Sequence, residues 1–150
     1  MAQGEAKLFY PGLAGFYATM LPVAEAFVRV VVGIMFLVHV SIKFQVGADK
    51  VAANIFAPNG VEPALMWTYI VMFLELVGGA CLIVGLFTRF VAAVLAIEML
   101  VALVFVHLAK GYGIVGGGYE YVLLIGAVCF AIAIRGGGPY SLDRLVGKAL

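Results

Sequence analysis

The chain has 150 residues, of which 65% are hydrophobic and 11% charged, with nine Lys or Arg against eight Asp or Glu. Soluble globular domains carry about 45–50% apolar and about 25% charged residues, so a water-soluble core and a disordered chain are both excluded. The net charge of +1 offers no basic field for nucleic acid, and two cysteines in apolar runs, Cys81 and Cys129, cannot build a disulfide framework.

At about 20 residues per bilayer crossing, the apolar stretches predict four transmembrane helices in a single domain, 1–150. Residues 1–19 lack the apolar core and cleavage pattern expected of a signal peptide, and 1–21 are read as an N-terminal segment outside the spans. Their aromatics Phe9, Tyr10, Phe16 and Tyr17, set around Pro11 and Gly12, predict an interfacial segment at headgroup level. The first span is read at 22–44, with Pro22 at its start, where a missing N–H does no harm. A polar loop follows, containing Asp49, Lys50, Asn54, Pro58 and Pro63, with room for a short amphipathic turn at 51–56. The second span is read at 64–86 and the third at 90–108, and the short joint between them forces an antiparallel hairpin. Glycines 111, 113 and 116–118 make a mobile turn before the fourth span, 119–135. The tail, 136–150, reads as a glycine turn and a short amphipathic helix capped by the Ser141 hydroxyl.

An even number of crossings puts both termini on one side. That side carries Lys7, Arg29, Arg89, Arg135, Arg144 and Lys148, against Lys43, Lys50 and Lys110 opposite, and the positive-inside rule assigns the richer side to the cytoplasm. The expected architecture is therefore an all-α, four-transmembrane-helix bundle with cytoplasmic N and C termini. Its surroundings are the lipid bilayer and a partner subunit or a second copy.

Ionisable groups within a span are costly, and each is a candidate for function or for an internal bond. Glu75 and Glu98 are the deepest carboxyls. Gly78 and Gly79, three and four residues after Glu75, share its helix face and admit either another backbone or a flat ligand. Arg29 and Lys43 are expected to snorkel to opposite headgroup layers, with Glu25, one turn earlier, pairing with Arg29. His39 and His107 fall near the outer ends of spans one and three, level with Glu120, so that a metal or haem site at these three is geometrically conceivable. The lack of any supporting spacing motif disfavours it against hydrogen-bonded interfacial histidines. Glu98 and His107, nine residues apart, fall on opposite faces of the third span, whereas Arg89 and His107 share one. Glu98 is thus expected to face inward or to contact a partner. No phosphate loop, CxxC, HExxH or nucleophile elbow is present, and the glycines of GYGIVGGGYE do not follow a strand as a dinucleotide fingerprint requires.

Taken together, RVVVGIMFLVHVSIKF, ELVGGACLIVGLFTRFVAAVLAIEML and YEYVLLIGAVCFAIAIRGGGPYSLDRL resemble the DoxX family of bacterial four-helix membrane proteins, which is similar to the DoxD subunit of thiosulfate:quinone oxidoreductase. The likeness spans residues 25–145. It is most specific at Glu75, Gly78, Gly79, Gly85, Leu86, Thr88 and Arg89 and at the ending Gly138, Pro139, Tyr140, Ser141, Leu142, Asp143, and it departs at Ser41 and at Arg135 with its extra glycine. The resemblance implies a multi-pass inner-membrane subunit linked to redox chemistry, whose cofactor would be a quinone held by Glu75, Gly78, Gly79, Arg29, His39 and Arg89. It assigns no catalytic residue. The alternative is an accessory or scaffold subunit with no chemistry of its own. A transporter is the weaker reading, since the sequence has no evident repeat or broken helix for alternating access.

Overall fold

A computed structural model of the chain describes residues 8–147; Lys7 and Lys148, counted above for orientation, lie outside them. The described residues are helical and contain no strand. α1 (Ala14–Val46) follows a 3₁₀ turn at Pro11–Leu13, and α2 (Ala48–Val51) widens into a looser turn at Ala52–Phe56. α3 (Ala64–Val84) and α4 (Thr88–Ala102) form the hairpin, α4 loosening into a wide turn at Leu103–His107. α5 (Glu120–Arg135) and the short α6 (Leu142–Val146) complete the chain.

Three helical stretches, Pro11–Val46, Ala64–Val84 and Thr88–Lys110, are long and apolar enough to cross a membrane. α5 has 16 residues, about 24 Å of helix, slightly less than the ~30 Å of a bilayer core. The apolar side chains point in both directions. Val32, Phe36, Leu82, Ala92, Leu95, Ile125, Cys129 and Ile132 make the interior, while Phe73, Ile97, Leu100, Phe130 and Ile134 stand exposed around the outside. An exposed apolar surface of that extent marks a membrane-facing protein.

α1 packs chiefly on α3 and α5 chiefly on α4, and the α3–α4 hairpin joins the two pairs. Two glycines decide how closely α1 and α3 approach. A Cβ at Gly33 would lie 2.7 Å from the Gly79 carbonyl oxygen, and one at Gly79 would lie 2.8 Å from that of Gly33. The backbones are therefore in direct contact, the geometry that small residues permit in membranes.

The first helix begins earlier than the sequence predicts. Pro22 sits inside α1 instead of at its start, and 14–21, read as interfacial, are helical. Ala14, Ala18, Met20 and Leu21 are good helix formers, the single Gly15 among them is accommodated in the helix, and no second proline interrupts it before Pro11. The helix simply runs through. Its 33 residues span about 50 Å, so its first turns extend past a hydrocarbon core, with Phe16 and Tyr17 exposed on them. The other boundaries fall within two residues of expectation, and Val51 and Ala52 of the loop turn are buried as an amphipathic turn requires. The glycine loop closes on itself through backbone hydrogen bonds, Gly118 N–H donating to Gly113 O at 3.0 Å and Tyr119 N–H to Gly111 O at 3.0 Å.

Candidate functional site

Gly78 packs on Leu95, whose methyl carbons would lie 3.0 Å from a Cβ at that position. In an antiparallel hairpin, one turn back along α3 and one turn forward along α4 stay at the same depth, which sets Glu75 opposite Glu98. Both are buried, at 2% and 9% exposure. Lys43 of α1 completes the group, with its Nζ 2.6 Å from Glu75 Oε2. Glu98 Oε2 is buried without a hydrogen-bond partner. The interior of an otherwise apolar bundle thus contains a triad of one ammonium and two carboxyls. Its rim carries His39, whose ring stacks on Tyr121 with centroids 5.7 Å apart and whose Nε2 lies 3.4 Å from the Tyr121 hydroxyl.

Lys43 therefore does not snorkel outward. Side chains on a helix lean toward its N-terminus, so the lysine near the end of α1 leans back into the bundle, where Glu75 leans toward it from the antiparallel α3. Arg29 does not snorkel either, nor does it pair with Glu25. It is 2% exposed, its Nη1 donates to the carbonyls of Leu82 and of Ile83 (3.0 Å), and its Nη2 donates to Tyr140 O at 2.6 Å. The last turn of a helix leaves carbonyls unpaired, and the fork of Arg29 satisfies those of α3. Glu25 instead accepts from Arg135 at the far end of α5.

The family-like motifs meet at that same end. Asp143, buried in α6, accepts from Phe87 N–H at 2.6 Å and from Thr88 N–H at 2.9 Å, capping the start of α4. Its own N–H donates to Gly85 O at 2.9 Å. Ser141 caps α6 as expected, accepting from Arg144 N–H, and its hydroxyl donates to Gly138 O at 2.7 Å. Gly85, at φ 72°, leaves no room for a side chain, since a Cβ there would sit 2.6 Å from Ser141 Cβ and 2.7 Å from Arg29 Nη1.

The sequence candidates thus fall into separate places. Gly79 is filled by α1 and Gly78 by Leu95, so their face holds helices and leaves no slot for a flat ligand. Arg29 is committed to the carbonyls at one end of the bundle. Arg89 is exposed beside Gly136 and opens onto an apolar groove of about 560 Å³ between α4 and α5. Of the quinone set, Glu75 and His39 remain near one another through Tyr121, joined by Lys43 and Glu98, which the sequence did not group with them. Glu98 faces the interior of the bundle. His107 Nδ1 donates to Gly117 O at 2.7 Å, and Glu120 accepts from Ile114 N–H at 2.9 Å. His39, His107 and Glu120 are each turned to a different partner, and no three His, Cys, Asp or Glu side chains converge among the described residues. Both cysteines are free.

A helical membrane protein with a charged triad in its interior is the class that fold and site define. The model of the DoxX family matches residues 24–108, more than half the chain, and the chain belongs to that family. It is 35% identical over 129 residues to an uncharacterised protein of Haemophilus influenzae, covering 82% of this chain and 90% of that one. It is 32% identical over 120 residues to the Bacillus subtilis protein named "Putative oxidoreductase CatD", covering 80% and 84%. No solved structure matches the chain.

Proposed function

We propose that this DoxX protein is a multi-pass subunit of the bacterial inner membrane, crossing four times with both termini in the cytoplasm, and that it serves a quinone-linked redox complex through the Lys43–Glu75–Glu98 triad. The single observation that carries the reading is the 2.6 Å contact of Lys43 with Glu75 opposite Glu98. Charged side chains inside a membrane span are costly and are kept mainly for function. The name of the Bacillus subtilis relative and the family's link to redox chemistry point the same way. For orientation, Arg89, Arg135 and Arg144 lie toward one end of the bundle and Lys50 and Lys110 toward the other, which supports cytoplasmic termini.

The donor set at the triad suits a quinone headgroup, which offers two carbonyl acceptors. Lys43 keeps donors beyond its bond to Glu75, Glu98 Oε2 is unpartnered, and His39 with Tyr121 forms a partly exposed aromatic rim. When bound, a quinone supplies a two-electron couple. The chain's part is to orient the carbonyls through Lys43 and His39, to exclude water, and to hold a proton at the Glu98 carboxyl. The test is quinone extraction and a visible spectrum on detergent-purified protein, together with quinone-linked electron transfer in a Glu75→Gln variant. Quinone in the extract and slowed transfer support the reading; an empty extract with unchanged transfer defeats it.

The groove between α4 and α5 favours a second reading as an accessory subunit. Ala93, Ala96, Gly126 and Ala127 line it, and small residues let a partner helix come close. A blue native gel of gently solubilised membranes decides, because migration as a species of the chain's own size counts against a docked partner.

A further inference from the structure

The triad contains two carboxyls and one ammonium, and that imbalance has a consequence of its own. Lys43 is already in contact with Glu75. Glu98 is 9% exposed with Oε2 unpartnered. The groups that act on it are Glu75 from α3, Lys43 from α1 and Cys129 from α5, while the phenol of Tyr121, on which Glu75 acts, lies against His39. Arg29 is held by backbone carbonyls and Arg89 is exposed at the opposite end, so neither balances a second buried negative charge. An uncompensated charge in such an interior is neutralised by taking up a proton rather than tolerated.

We infer that the triad is a one-proton store, in which Glu98 carries an exchangeable proton and the Lys43–Glu75 pair determines that it stays there. Release breaks the Glu98 O–H bond and passes the proton to a water molecule brought within reach, which becomes hydronium while Glu98 keeps the bonding pair as a carboxylate. The resulting carboxylate then competes with Glu75 for Lys43, and uptake of a proton restores the original pairing. This rests on the triad as the chemical centre but requires no quinone.

Infrared spectroscopy of the purified protein in lipid nanodiscs, at neutral pH in H₂O and D₂O, tests it without any redox partner. The expected result is a carbonyl stretch of a protonated carboxylic acid that moves in D₂O. It should vanish in Glu98→Gln and shift in frequency but persist in Glu98→Asp, which keeps an acid at the site. In Glu75→Gln it should also vanish, because the freed Lys43 pairs with Glu98. In Lys43→Met its area should rise about twofold, as both carboxyls then take up protons. Absence of the band from folded wild-type protein, or its survival in Glu98→Gln, overturns the inference. A band with these properties in protein that yields no quinone leaves the proton store standing and removes the quinone reading alone.

Discussion

Arg29 and Asp143 grip the two sides of one helix joint from opposite ends of the chain. Arg29 satisfies the final carbonyls of α3, and Asp143 satisfies the first amides of α4. Between them lie only Gly85, Leu86 and Phe87, with Phe87 itself in the left-handed region at φ 50°. Hydrogen bonds to charged groups contribute about 1.5–3 kcal/mol each. Asp143→Ala is therefore expected to destabilise the protein by about 2–4 kcal/mol, and Arg29→Lys by about 1–3 kcal/mol, because an ammonium cannot replace a planar fork that spans carbonyls of α3 and the tail. Thermal unfolding in detergent, followed by loss of helical circular dichroism, measures both. An Asp143→Ala protein as stable as wild type would contradict the capping role.

The neighbouring glycines 78 and 79 should respond differently to the same substitution. A methyl at Gly79 meets the backbone carbonyl of Gly33 at 2.8 Å, which cannot rotate away, whereas a methyl at Gly78 meets the flexible end of Leu95 at 3.0 Å. Alanine in place of glycine also favours a helix by about 0.5–1 kcal/mol. Gly78→Ala is thus expected to be close to neutral, and Gly79→Ala to cost about 1–3 kcal/mol through forced separation of α1 and α3. Paired unfolding measurements check the contrast, and equal effects would mean that the α1–α3 contact does not limit packing.

The all-helical fold and the ends of most helices were legible because apolar runs and their Gly and Pro breaks are local signals. The start of α1 was not, since a proline at a plausible first position reads the same as one that a longer helix accommodates. The polar groups were harder still. Depth along a helix follows from sequence position, but the direction of a long side chain follows from its lean toward the helix N-terminus and from what the neighbouring helix offers. Lys43 and Arg29 were read as snorkelling to headgroups, and Arg29 as pairing with Glu25, for that reason. The matched spacing of Gly78 to Glu75 and of Leu95 to Glu98 was present in the hairpin, and the register that makes it meaningful needed the Gly78–Leu95 contact.

The pairing of Glu25 with Arg135 ties the start of the bundle to the end of α5, yet the arginine side chain is 58% exposed. Exposed ion pairs contribute about 0–1 kcal/mol and are weakened by salt. Glu25→Gln is expected to lower stability by less than about 1 kcal/mol, with the difference from wild type shrinking as sodium chloride is raised. A loss of several kcal/mol that salt does not reduce would show that the pair is shielded, for instance by a headgroup layer or a partner chain.

The Lys43–Glu75 pair should behave in the opposite manner. Removing one member of a buried pair leaves the other charge without compensation, at a cost of about 3–5 kcal/mol, whereas replacing both by apolar residues of similar size is often neutral or stabilising. Lys43→Leu is therefore expected to be destabilising, because Glu75 must take up a proton to stay buried without its partner, and the loss shrinks as pH falls and that uptake becomes easier. The double variant Lys43→Leu with Glu75→Leu should regain most of the stability while any quinone-linked activity stays abolished. That divergence separates the two roles a buried ion pair can have. If the double variant folds as well as wild type and retains full activity, the pair is dispensable to chemistry, and the function must reside elsewhere, with the α4–α5 groove as the remaining candidate.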